Sequence, residues 1–229
     1  MRDLLILASA SPRRSDLLRQ AGYSFTVLPA QGEEIKTSTV PTELVLALSM
    51  QKACEVRDRI LAGELSAGGS AARDGALIRG EDTAAGSAAP DGFLILGADT
   101  VVAADGQILG KPRDEEEAFA MLSMLQGQTH QVYTGVSLLR IPAKAMRNGF
   151  SEADAATRSF VACTDVTFDS MTEAEIRAYI ATGEPMDKAG AYGIQGAMAA
   201  YVREIRGEYS NVVGLPLCAL RRTLREIGF

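Results

Sequence analysis

Residues Leu4 to Gly22 read as a strand, a polar turn and a helix, and the rest of the chain is arranged around this unit. Leu4 to Ala8 is an apolar run of buried-strand length. Ser9-Ala10-Ser11-Pro12-Arg13-Arg14 ends it with two hydroxyls, a helix-starting proline and two guanidiniums. In the amphipathic helix that follows, Leu17 and Leu18 face inward. Pro12 suits the first turn because its missing N–H is not needed there, and Gly22 stands where a C-terminal stop belongs. Free N–H groups at such a helix start, with the helix dipole and Arg13 or Arg14, favour a phosphate at the mouth of the strand. The same residues also suit an ordinary strand–helix turn with solvated arginines.

The chain has 229 residues, 47% of them hydrophobic, enough for one large domain or two small lobes around a shared sheet. A formal charge of -6 argues against binding a nucleic-acid polymer through bulk charge, so any cations that matter must be gathered locally. The three cysteines, Cys54, Cys163 and Cys218, are far apart and form no CxxC pair, which fits a reducing compartment. With no signal peptide and no apolar run of 18 residues, a soluble cytoplasmic protein that does not engage membranes is expected. The single histidine, His130, rules out a two-histidine metal motif. It opens a strand amid glutamines, where a polar strand-end role is expected.

Tyr23 to Leu28 alternates like a strand, and Gln31-Gly32-Glu33-Glu34 then places two carboxylates on a loop, either to hold a divalent ion or simply solvated. From Thr42, the spacing of Val45, Leu48, Ala53, Val56 and Ile60 predicts a helix, with Lys52 either solvated or reaching into a site. Residues 63 to 92 contain seven glycines, eight alanines and three serines, and read as a flexible surface insertion. Phe93 to Leu96 is a buried strand that ends in Gly97-Ala98-Asp99-Thr100. Val101-Val102 and an Asp105-Gly106 hairpin turn lead to Gly110-Lys111-Pro112, so Asp99 and Lys111 lie close if the hairpin forms. They make either a surface ion pair or a cleft pair.

Asp114 and Glu117 cap a helix with Ala118, Met121, Leu122 and Leu125 inward. Strands follow at 131–141 and 159–168, and Thr172 with Glu175 forms a capping box for a short helix ending at Gly183. Glu184 to Gly196 is poor core material, with three glycines, and suits a loop that brings backbone close to a ligand. Gln195 there can donate and accept at a base edge. Met198–Ile205 and Tyr209–Val213 read as a hairpin around Arg206-Gly207, and Leu217, Leu220, Leu224 and Ile227 mark a closing helix.

Four segments taken together, Leu7 to Arg14, Gly97-Ala98-Asp99-Thr100-Val101-Val102, Gly110-Lys111-Pro112 and Asp187 to Gly196, resemble the Maf family of nucleoside triphosphate pyrophosphatases. Tyr133-Thr134-Gly135 and Val212-Val213-Gly214-Leu215-Pro216 continue the match in the family's order, and the 63–92 insertion departs from it. The resemblance implies a single α/β domain over residues 1–229 with an inosine triphosphate pyrophosphatase-like fold, a long mixed sheet bent into two lobes around an active-site cleft. It implies attack by water on the α-phosphorus of a nucleoside triphosphate, releasing the monophosphate and pyrophosphate with help from Mg2+ or Mn2+. Asp99 matches the family's proton acceptor. Arg13, Thr100 and Gln195 match positions that set base preference in the branch acting on dTTP and UTP.

Charge on the pyrophosphate leaving group calls for cations near polar turns. Ser9, Ser11, Arg13, Lys52, Lys111 and Lys188 are the phosphate-binding candidates, Lys111 also a catalytic one, and Glu34 and Asp99 the metal candidates. Which acid holds metal and which takes the proton stays open at this point. The resemblance also leaves room for clearance of modified nucleotides, for a homodimer, and for a nucleotide-sensing regulator of septum formation as the alternative function.

Overall fold

The computed structural model describes residues 3–64, 72–73, 76–77, 91–151 and 156–229. In chain order the elements are β1 (Asp3–Leu7), α1 (Pro12–Gln20), β2 (Phe25–Val27), α2 (Pro41–Leu61), β3 (Ala72–Arg73), β4 (Ala76–Leu77), β5 (Gly92–Ala104), β6 (Gln107–Leu109) and α3 (Glu115–Leu125). Then come β7 (Thr129–Pro142), α4 (Ala143–Asn148), β8 (Ala156–Phe168), α5 (Glu173–Ile180), three 3-10 turns between Glu184 and Tyr201, β9 (Val202–Arg206), α6 (Tyr209–Val213) and α7 (Leu217–Glu226). Apart from the short β3–β4 pair, most of the 63–92 stretch lies outside the described residues.

The main sheet is seven-stranded and mixed, in the order β2-β1-β5-β7-β8-β9 with β6 added on β5. β1 runs parallel to β2 and β5, while β5, β7, β8 and β9 form antiparallel ladders. Alternation along the strands divides the core between the two faces. Leu5, Leu7, Leu94 and Leu96 pack with α1, α3, α5 and α7, whereas Ile6, Phe93 and Ile95 pack with α2. α2 lies unusually close to the sheet. A Cβ on Gly97 would collide with the Ser49 carbonyl oxygen, and one on Gly135 with the backbone of Val45.

β5 is the axis of the molecule. On one side it pairs with β7 along nearly its whole length, and on the other with β1 as far as Leu7 opposite Leu96 and with β6 from Val102 opposite Leu109. On that second side, between β1 and β6, Gly97 to Val101 pairs with no strand among the described residues. This gap passes from one face of the sheet to the other. The hairpin after it forms as the Asp105-Gly106 pair predicts, with both residues at positive φ.

Three expectations need correction here. Asp99 does not sit at a strand end but in the middle of a 13-residue strand, and the interruption is in its neighbours. The second arm of the late hairpin is the helix α6, and part of the first arm, Ala197–Tyr201, is a 3-10 turn. His130, expected in a polar strand-end role, does stand at the start of β7 with its Nε2 2.8 Å from the Tyr192 hydroxyl, but it is fully buried.

Candidate active site

Two cavities open at the gap in β5 and share Thr100 and Ala189. The larger, about 1060 Å³, is lined by Glu34, Lys36, Asp99 and Lys111 together with the 37–39 segment. The smaller, about 360 Å³, is lined by Ser11, Arg13, Arg14, Lys188, Gln195 and Gly214 among others.

On the larger side, the α2 helix projects Lys52 toward the sheet. Its Nζ lies 2.6 Å from Asp99 Oδ1 and 2.8 Å from Glu34 Oε1, so one ammonium gathers both carboxylates. The Lys52 and Asp99 side chains are only 17% and 11% exposed, which weakens solvent screening between them. Burial raises the pKa of Glu34, but the hydrogen bond and charge of Lys52, with Lys111 and Lys36, bring it below the ordinary carboxylate value. The same helix holds the loop that carries Glu34. Gln51 accepts from the Ile35 N–H and donates to the Glu33 carbonyl, and Glu55 accepts from the N–H groups of Gln31 and Gly32. The 31–34 loop is therefore a structured part of the site.

On the smaller side, the second arginine of the pair is the buried one. Arg14 Nε donates to the Gly214 carbonyl at 2.8 Å, and its two amino groups donate to Ser9 Oγ at 3.0 Å and Thr100 Oγ1 at 3.1 Å. Burial lowers its pKa from the usual guanidinium value, with Asp99 acting in the opposite sense and Arg13 in the same one. This planar fork ties α1, β5 and the turn after α6 together. Ser9 is thereby occupied inside the protein, accepting from Arg14 and from the Ser11 N–H. Arg13 is half-buried and pairs with Asp187 at 3.2 Å. Lys188 donates to that same carboxylate and to the Glu184 carbonyl.

The structure thus brings Glu34, Asp99 and Lys111 to one cavity, with Lys52 bonded to both of its acids, and Ser11, Arg13, Lys188 and Gln195 to the other, with Thr100 between. Asp99 and Lys111 share a cavity as the hairpin predicts, but the cation bonded to Asp99 is Lys52. The sequence reading did not assign Arg14 a structural role, and it passed over Lys36, Glu184 and Tyr179. The Arg13-Arg14 pair was a signal for the first. Among the described residues no group of three or more histidine, cysteine or acidic side chains is placed so that it could hold a metal ion, and no helix is long and apolar enough to cross a membrane.

The Maf-like protein family matches residues 4–227, a span that contains both cavities. The chain belongs to the Maf-like family. A relative from Agathobacter rectalis, a dTTP/UTP pyrophosphatase, is 47% identical over 225 residues, covering 98% of this chain and 97% of the relative. Those of Carboxydothermus hydrogenoformans and Lachnoclostridium phytofermentans, with the same description, are 43% and 37% identical, covering 98% of this chain and 99% and 95% of their own lengths. The Maf-like assignment therefore applies to both halves of the cleft.

Proposed function

We infer that this Maf-like protein is a nucleoside triphosphate pyrophosphatase that hydrolyses dTTP and UTP to the monophosphate and pyrophosphate. The observation that carries the reading is the division of the cleft at Asp99 and Thr100. Acids and lysines lie on one side, and a glycine-framed loop with an exposed carboxamide lies on the other. The triphosphate belongs in the larger cavity and the base in the smaller, with Gln195, Thr100 and Arg13 setting base preference.

Asp99 is assigned as the general base. It takes a proton from water as the water oxygen bonds to the α-phosphorus and the bond from that phosphorus to the pyrophosphate oxygen breaks. Lys111, Lys52 and Arg13 offset the charge that gathers on the phosphate oxygens, and Ser11 and Lys188 border the path to the base. Glu34 and Asp99 suit Mg2+ or Mn2+, because they are two hard carboxylates held together beside a space for phosphates, and such ions take few protein ligands. When bound, the ion supplies charge neutralisation at the phosphate oxygens. A nucleotide substrate and three cysteines far apart in the sequence, with no CxxC pair, fit the cytoplasm.

Pyrophosphate release from a panel of dTTP, UTP, dCTP, CTP, ATP and GTP tests the reading. Fastest turnover on dTTP and UTP is expected. Release from none of them, or preference for a purine, contradicts it.

A further inference from the structure

Gln195 is exposed at the corner of a four-residue turn, Gly193-Ile194-Gln195-Gly196, closed by the Gly196 N–H donating to the Gly193 carbonyl at 3.2 Å. A carboxamide on such a turn discriminates between bases only if the backbone beneath it is fixed. Both ends of the turn run to one pair of side chains. The Gly193 N–H donates to the Tyr179 hydroxyl at 3.0 Å, and that hydroxyl donates to Glu184 Oε1 at 2.9 Å. The other oxygen, Oε2, accepts from the Ala197 N–H at 3.2 Å. The carboxylate lies directly against the turn, because a Cβ on Gly196 would collide with Glu184 Oε1 and one on Gly193 would stand 2.8 Å from it. Tyr179 is itself anchored. It is 5% exposed on α5, whose start is fixed by the reciprocal Thr172–Glu175 capping box.

We propose that Tyr179 and Glu184 are positioning residues for base selection, clamping both ends of the Gly193–Gly196 turn so that Gln195 meets the pyrimidine edge in one orientation. The proposal rests on the reading that Gln195 senses the base. Tyr179 does not line either cavity and acts through the turn; Glu184 also borders the smaller cavity, so Tyr179→Phe is the variant that isolates the clamp. Burial and the neighbouring Glu184 raise the Tyr179 pKa, which keeps the phenol protonated and able to donate.

The test is a double-mutant cycle on kcat/KM for dTTP and for GTP, with wild type, Tyr179→Phe, Gln195→Ala and the double variant. Tyr179→Phe is expected to lower the dTTP-to-GTP ratio by about three- to tenfold, mainly through KM for dTTP. In the Gln195→Ala background it should lower the ratio no further. Glu184→Gln should reproduce the loss, and it decides the matter if Tyr179→Phe does not fold. A ratio that falls with Gln195→Ala but not with Tyr179→Phe or Glu184→Gln overturns the clamp alone. If Gln195→Ala leaves the ratio unchanged, the base-sensing reading fails and takes the clamp with it. Equal losses on both nucleotides in both backgrounds reduce the pair to a structural role.

Discussion

Asp99 and Thr100 are consecutive residues of β5 whose side chains point to opposite faces of the sheet, Asp99 to Lys52 of α2 and Thr100 to Arg14 of α1. A paired strand would wall these faces off from each other. Here β1 stops before them and β6 starts after them, so one ligand can reach both. The cleft therefore combines chemistry on one face with recognition on the other, using two adjacent residues.

Lys52 is the sole described cation bonded to Asp99, and its loss leaves two carboxylates facing each other. Lys52→Met is expected to destabilise the protein by roughly 3 kcal/mol, the lower end for breaking a buried pair, because Glu34 is half-exposed. Mn2+ should then raise the melting temperature of the variant more than that of wild type, since the ion replaces the missing positive charge. Scanning calorimetry with and without Mn2+ checks this, and equal shifts contradict it. The sign for Glu34 follows from its lowered pKa. Its stabilising contribution is present above the ordinary value of 4.5, is lost as pH falls through the lower folded value, and should be missing in Lys52→Met.

Gly97 is where α2 touches β5. Gly97→Ala places a methyl group against the Ser49 carbonyl, which cannot yield without moving the helix that carries Lys52. Overpacking of this kind costs about 1–3 kcal/mol. Denaturant unfolding should show that loss, accompanied by reduced turnover as Lys52 shifts from Asp99. A variant of wild-type stability and activity would mean that the contact is freely adjustable.

His130 sits between Phe168 and Tyr192 in a group of mutually edge-on rings, and burial holds its pKa at about 4 against an ordinary 6.5. The unfolded chain takes up this proton below pH 6.5 and the folded protein does not until about pH 4, so stability falls as pH drops through that window. Between pH 7 and pH 5 the loss is roughly 2 kcal/mol. Urea unfolding at the two pH values should show it in wild type and not in His130→Phe.

The outline of the fold was legible wherever a local pattern decides structure. The β1–α1 unit, α2 with Lys52, the Asp114 cap and the Thr172–Glu175 box all stand where their residues place them. What was not legible depends on distant partners. Tyr209–Val213 reads as the second arm of a hairpin around Arg206-Gly207, but the buried Asn211 carboxamide donates to the Val132 carbonyl and Thr164 Oγ1, and those bonds fix a helical turn. Asp99 read as a strand end because Gly97-Ala98 interrupts the apolar run, whereas Gly97 makes room for α2. His130 read as polar because nothing local shows that Phe168 and Tyr192 enclose it. In the site, the cations were recognisable by type but not by partner. Whether Lys52 or Lys111 bonds Asp99, and whether Arg13 or Arg14 is buried, is settled by packing between elements far apart in sequence.

Asp99→Asn separates the chemistry from the binding. Asparagine keeps the shape and can still accept from Lys52, but it has no basic oxygen to take a proton from water, while Lys111, Arg13 and the smaller cavity are untouched. Steady-state pyrophosphate release and dTTP affinity, measured side by side on wild type and Asp99→Asn, should show turnover lower by about 10²–10⁴-fold with dTTP still bound. A folded variant that turns over within about tenfold of wild type, below the range for loss of a general base, would remove Asp99 from that role.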